Sequence, residues 1–479
     1  MSSNLIRNVH TRRKFSVMST KKGFWDRLPQ LSFHRMEQLN EQSESTGLTA
    51  STPHAVPELQ TDKSVAIEQV IEHSDTANGA TQEVLYVGVR EFVESSSGSG
   101  TPVRPITEAE QLELSSSAYE FLPPSISDVM QSLMLPSRIM MSALRIPFKV
   151  ALKGKRRPTW STEMEMVISG FRSACRNAPR DLTLIRAWTD VEIPSMLLPK
   201  GARVRETSLH GMRVEWVFPH ALHGSSDMLT NADILTWSKT HPVVLYLHGG
   251  GHALCGTNTH RNIFASFAVE DVVLCAPNYR RPPEVSIIDA TDDCFAMYMH
   301  LIEVIRIDPK HIAIMGDSAG GALAVLTLGR IRDTGTRMPT CGVLLSPWVE
   351  LDDADIAAEA AKGNMMPAHD YLPRDALIMI SKLVCGNLSP KDPRINPMNA
   401  DVTGLPPILI HVGELELLFD QITRFYEKLR ECGVETKMKI WIDGVHVPHV
   451  FTMFSEESKI AVKDAANYIK LKTHPQSFI

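Results

Sequence analysis

Little in this chain ties it to a membrane span, an oxidising compartment or a polyanion. No uninterrupted apolar run approaches the roughly 20 residues that cross a bilayer as a helix. The cysteines Cys175, Cys255, Cys275, Cys294, Cys341, Cys385 and Cys432 stand singly, with no Cys-x-x-Cys pair, so reduced thiols and a cytoplasmic setting are expected. A net charge of −6 over 479 residues gives no global attraction to nucleic acid. A secretory signal is also missing, since Leu5-Ile6 runs straight into Arg7 and no apolar h-region develops. Acid is absent before Asp26, while Arg7, Arg12, Arg13, Lys14, Lys21 and Lys22 are all basic. Such a start fits either a mitochondrial transit peptide or a solvated arm, and the arm is the preferred reading. Apolar residues are scarce from about 38 to 117, where Ser, Thr, Glu and Gln dominate. This segment cannot offset its own ordering entropy, so residues 1–120 are expected to be mostly disordered. Within them, 83–93 reads as a strand that lacks an evident partner.

Composition changes at Phe121. Two apolar helical stretches, 126–135 and 139–146, are separated by Pro136 and followed by Lys153, Lys155, Arg156 and Arg157. The preferred expectation for 121–200 is a helical cap whose Met-rich segment 126–148 lines a pocket for a greasy acyl or alcohol group. The alternative is a peripheral membrane-surface segment, because an apolar amphipathic helix and a polybasic flank reinforce each other. A further helix is expected from Trp160 to Ala174. Residues 201–479 read as the catalytic domain. Strands at 204–209 and 212–218 are followed by short apolar runs at 243–247, 272–275, 312–315, 343–345, 408–410 and 437–442. Helix-length segments at 260–270, 290–306, 321–333, 370–385 and 420–432 alternate with them. That alternation predicts an α/β fold with a mostly parallel central sheet covered on both faces, and ligands bound beyond the carboxyl ends of its strands.

The chemically loaded residues fall at those strand ends. Gly316-Asp317-Ser318-Ala319-Gly320 follows one apolar run and opens a small-residue helix, the layout of a strained strand–turn–helix with a serine at its tip. His248-Gly249-Gly250-Gly251 ends an earlier strand, and its glycines can expose backbone N–H groups to a developing oxyanion. A serine nucleophile needs a base, and the base needs an orienting acid. Downstream of 408–410 the candidate acids are Glu414, Glu416 and Asp420; downstream of 437–442 the candidate bases are His446 and His449. Spacing alone does not choose among them.

From about Val204 onward the chain resembles the hormone-sensitive-lipase-like branch of the α/β-hydrolases. The resemblance rests on His248-Gly249-Gly250-Gly251, Tyr279-Arg280-Arg281-Pro282-Pro283-Glu284, Gly316-Asp317-Ser318-Ala319-Gly320-Gly321, Ser346-Pro347-Trp348, and the Gly-x-x-Glu-x-Leu and Gly-x-His segments, all in the family's order. It implies the α/β-hydrolase fold with an N-terminal helical cap and hydrolysis of small-molecule carboxylic esters without metal or cofactor. It also implies Ser318 as nucleophile, Gly249, Gly250 and Ala319 as the oxyanion hole, Glu416 as acid with Asp420 as second choice, and His446 as base ahead of His449. His252 stands where the family usually has an aromatic and is assigned to the substrate side. Asp317 is placed beside it, with a loop-supporting role, and Asp293 has a structural one. Apolar short- to medium-chain acyl or acetyl esters are the expected substrates. A catalytically idle receptor or scaffold on the same fold, and an amide or lactone hydrolase, are the competing readings.

Overall fold

The structure, a computed structural model, describes residues 12–17, 65–75, 81–91, 125–179, 181–191, 198–222, 228–352 and 369–478. The chain divides into two units, Met1–Gly100 and Thr101–Ile479. In the first, β1 (Arg12–Val17) pairs antiparallel with β2 (Val65–Asp75), which pairs antiparallel with β3 (Thr81–Glu91). The strand expected near 83–93 therefore has a partner after all. Glu68, Gln69 and Glu72 interrupt the apolar residues of β2, so it blends into a polar stretch of sequence. The serine runs at 95–100 and 115–117 and the change of composition at Phe121 lie outside the described residues.

The second unit begins with the helices α1 (Ile126–Leu144), α2 (Ile146–Lys153), α3 (Thr162–Arg176) and α4 (Leu182–Thr189). Pro136 does not divide α1 as expected; the break falls at Arg145. A proline inside a helix removes one amide bond and crowds the preceding turn. Here Leu135 is buried beside it and Ser132 accepts a hydrogen bond from Trp188 Nε1 at 2.7 Å, so tertiary contacts hold that turn. On α3, the expected 160–174 helix begins after Ser161, whose hydroxyl accepts from Met164 N at 3.0 Å.

The sheet follows: β4 (Ala202–Leu209), β5 (Met212–Pro219), β6 (Val243–Leu247), β7 (Val273–Pro277), β8 (Ile312–Asp317), β9 (Cys341–Leu345), β10 (Ile408–Gly413) and β11 (Thr436–Trp441), in the spatial order β11-β10-β9-β8-β6-β7-β5-β4. Pairing is parallel from β11 through to β7 and antiparallel at β7–β5 and β5–β4. The central strands are apolar on both faces because both are covered: every residue of β6, β8 and β9 is buried. Between and after them come α5 (Asn231–Trp237), α6 (Arg261–Val269), α7 (Ile287–Met299), α8 (Ala319–Asp333), α9 (Arg374–Cys385), α10 (Phe419–Glu431) and α11 (Glu456–Thr473). One core cluster joins β6, β8 and β9 (Tyr246, Met315, Val343) to α6 (Phe264, Phe267) and α11 (Val462, Ile469). Helix α11 lies beyond the helix-length segments expected from the sequence. Another cluster sets Trp160, Met164 and Ile168 at α3 against Leu415, Val445 and Phe451. Thus α3 sits directly on the loops that follow β10 and β11.

Candidate active site

Ser318 occupies the turn between β8 and α8 with φ 53° and ψ −123°, a strained backbone for a residue with a Cβ. The neighbouring glycines make that turn physically feasible. A Cβ on Gly316 would lie 2.2 Å from Gly320 O, and one on Gly320 would lie 2.0 Å from Leu247 O. Ser318 N donates to Leu345 O at 2.8 Å, and Trp348 N donates to Ser318 O at 2.9 Å. The turn is thereby pinned to the end of β9.

His446 and Glu416 meet this serine. Ser318 Oγ and His446 Nε2 are 2.9 Å apart, and His446 Nδ1 is 3.3 Å from Glu416 Oε2. Both partners are buried. With Glu416 accepting from Nδ1–H, the Nε2 lone pair is left to accept from the serine hydroxyl. The competing candidates are spent elsewhere. Asp420 pairs with Arg424 one helical turn on in α10, at 3.6 Å. Glu414 Oε2 accepts from Asp443 N at 3.0 Å. His449 turns the other way, its Nε2 lying 2.9 Å from His411 Nδ1.

The glycine loop departs from expectation at one position. Gly249 N donates to Asp317 Oδ1 at 3.0 Å, so this amide is not free for an oxyanion. The same oxygen accepts from Tyr246 Oη at 2.9 Å, while Oδ2 faces His260 Nε2 at 3.4 Å. Asp317 therefore braces the loop from below and does not face substrate, as its placement beside His252 had assumed. The amides of Gly250 and Gly251 have no hydrogen-bond acceptor among the described residues. Gly250 is irreplaceable on steric grounds: φ is 112°, and a Cβ would meet Leu254 O at 2.1 Å. Ala319 N, in the first turn of α8, is likewise uncommitted. His252 is buried with φ 61°, its ring 6.0 Å from that of Trp348 and both nitrogens without a hydrogen-bond partner among the described residues. The Met-rich stretch expected to line a pocket instead turns Met130, Met134, Met140 and Met141 to solvent.

A model of the alpha/beta hydrolase fold matches residues 244–450. An acetyl-hydrolase of Streptomyces hygroscopicus is 33% identical over 233 residues, covering 48% of this chain and 76% of that one. An esterase of Acinetobacter venetianus is 31% identical over 244 residues, covering 49% and 77%. Among solved structures, a hormone-sensitive lipase from a metagenome library superposes with a TM-score of 0.52 at 27% identity, over 64% of this chain and 98% of that one. The chain belongs to the hormone-sensitive-lipase-like α/β-hydrolases. It is a carboxylic ester hydrolase, and its substrates are small-molecule esters.

Two features of this hydrolase escape sequence reasoning. Asp370 is buried just before α9, where its Oδ1 accepts from His446 N at 3.1 Å and Tyr371 N at 2.8 Å and its Oδ2 accepts from Leu417 N at 2.9 Å. One carboxylate thus ties the loop carrying Glu416 to the loop carrying His446. Its own carbonyl accepts from Arg172 of α3, which fastens the cap helix to the same point. A lone aspartate satisfied by backbone amides leaves no spacing pattern to find. The second feature is the charge balance. Burial works against an imidazolium at His446, yet the hydrogen bond and charge of Glu416, with Asp370 and Asp317 beyond, carry its pKa above the ordinary value. Burial pushes Glu416 upward. At Asp317 burial is outweighed by His260 and Tyr246, and the carboxyl is held below its usual range. Burial alone brings His252 down to about 3, so it is neutral at physiological pH.

Proposed function

We propose that this hydrolase works through an acyl-enzyme on Ser318, with His446 as base and Glu416 as the acid that orients it. The observation that supports this most directly is the unbroken line from Ser318 Oγ to His446 Nε2, 2.9 Å, and from His446 Nδ1 to Glu416 Oε2, 3.3 Å. His446 takes the hydroxyl proton as Oγ attacks the ester carbonyl, then returns it to the leaving alcohol; water repeats the sequence to release the acid. The amides of Gly250, Gly251 and Ala319 stabilise the tetrahedral oxyanion, in place of the Gly249 amide that Asp317 consumes. We read the acyl group as apolar and short to medium in length, with acetyl included. Ile380 stands over Gly251, where a Cβ would already meet it at 3.0 Å, and Trp348 closes the same side at 3.8 Å. The acetyl-hydrolase relative is in keeping with that size. The single, mostly buried cysteines suit a reducing compartment, which we take to be the cytoplasm, with peripheral contact at lipid as the route to an apolar ester.

Ser318→Ala is expected to lower kcat for a p-nitrophenyl ester by at least about a thousandfold and to abolish labelling by a fluorophosphonate. Persistent labelling of that variant would move the nucleophile elsewhere. A p-nitrophenyl ester series should peak at short chains; a maximum at long acyl chains contradicts the confined acyl site.

A further inference from the structure

Helices α1 and α2 carry an apolar face that the active site does not use. Their inner side is accounted for: Leu135 and Ile146 are buried, and Ser142 Oγ meets Ser169 of α3 at 2.8 Å. On the outer side Ile126, Met130, Leu133, Leu144, Phe148 and Leu152 recur at helical spacing with 50–87% of their surface exposed. Arg145, at the junction, is itself in the right-handed helical region, so the stripe continues from one helix into the next. Leaving that much contiguous apolar surface in water is costly.

Charge says what covers it. Arg145, Lys149 and Lys153 each follow an apolar residue of the stripe by one position. All three are exposed, and none pairs with an acid among the described residues. Between residues 126 and 155 the only acid is Asp128, which is buried in the capping box with Ser125. An apolar stripe flanked by cations and free of exposed acid is complementary to an acyl-chain boundary beneath anionic headgroups, with the lysine stems lying along the apolar surface. Among the described residues no helix is long and apolar enough to cross a membrane, so the mode is lying on the surface rather than spanning it.

We infer that the outer face of α1 and α2 docks the enzyme on a lipid surface bearing anionic headgroups. The inference rests on the proposed function only for why an ester hydrolase would need lipid; docking itself requires no catalysis. The test is co-sedimentation of the full chain with vesicles of phosphatidylcholine alone and of phosphatidylcholine with phosphatidylserine. Binding is expected to the mixed vesicles, weakening as salt rises. Leu133→Glu with Phe148→Glu should weaken it at least about tenfold. Lys149→Glu with Lys153→Glu should remove the preference for phosphatidylserine. Both double variants alter exposed side chains and should hydrolyse soluble p-nitrophenyl acetate at the wild-type rate. Ser318→Ala should bind vesicles like the wild type, so an esterase reading that fails leaves docking standing. Three outcomes overturn the inference: no wild-type binding, binding equal in wild type and variants, or a wild-type oligomer that the apolar double variant converts to monomer. The last would assign the face to a second copy of the chain.

Discussion

His446 is held by opposing forces, and its pH behaviour follows from which one wins. Burial disfavours the imidazolium, while Glu416 at 3.3 Å favours it and prevails, so the folded pKa is raised. In its proposed role as base His446 must be neutral to accept the serine proton, so kcat/KM is expected to fall as pH drops through that raised value. Glu416→Gln removes the charge that raises it. The acidic limb of the pH–rate profile should then move to lower pH, while kcat at its plateau falls by about a thousandfold or more because the imidazole loses its preferred tautomer. A limb that stays in place, or moves to higher pH, excludes Glu416 as the partner. The family pattern picks out Ser318, Glu416 and His446 in sequence, and these three side chains come together in the structure, because each motif fixes a backbone geometry that few other residues permit. It could not reveal which glycine of His248-Gly249-Gly250-Gly251 spends its amide internally. That depends on Asp317, whose side chain turns inward for reasons held in Tyr246 and His260, far away in sequence.

The element that presents His446 is a short turn, and the second histidine explains how it holds. Val447 has φ 45° and ψ 66°, a left-handed backbone that a β-branched residue adopts only under restraint. One restraint is Ser346 Oγ, which accepts from Val447 N at 2.9 Å. The other is His449. His411 Nε2 lies 3.1 Å from Asp464 Oδ2 and donates to it, which leaves His411 Nδ1 to accept from His449 Nε2–H. Lys439 also pairs with Asp464. In the proposed mechanism His449 is thus a positioning residue for the base, and two histidines three apart in sequence hold different offices. His449→Ala should lower kcat by about 10- to 100-fold with KM little changed, and slow fluorophosphonate labelling without abolishing it. His449→Gln, which restores a donor at similar reach, should recover most of the rate. Rates unaffected by the alanine, or not rescued by glutamine, remove this role. Asp370 braces the same turn through His446 N. Asp370→Asn leaves a single acceptor oxygen for three backbone donors, and should cost about 1–3 kcal/mol of stability. The readout is a lower melting temperature together with a reduced kcat.

At the scale of the whole molecule, the parallel sheet was legible because strands buried on both faces must be apolar throughout, as β6, β8 and β9 are. The continuity of α1 through Pro136 and the pairing of β2 with β3 were not, since both depend on partners distant in sequence or masked by polar residues. Neither did composition reveal how many buried histidines the fold keeps uncharged. Burial lowers His248 and His252 to about 3 and His449 well below its ordinary value, with His411 lowered as well. In the unfolded chain each would bind a proton near pH 6.5, so below that pH the unfolded state takes up more protons and gains on the folded one. His248 and His252, held at about 3, each cost about 1.4 kcal/mol by pH 5.5, with the loss continuing until the folded-state pKa is reached; His449 and His411 add to it in the same direction. His260, His446 and Glu416 shift upward and contribute in the opposite sense, but the lowered histidines outnumber them. The melting temperature should therefore fall steadily from pH 7.5 to pH 5. His252→Phe, which fills the site with a group that cannot titrate, should flatten that fall relative to wild type when both are followed by circular dichroism. A wild-type melting temperature independent of pH over this interval, or an equal slope in the variant, would show that His252 is not held neutral by the fold.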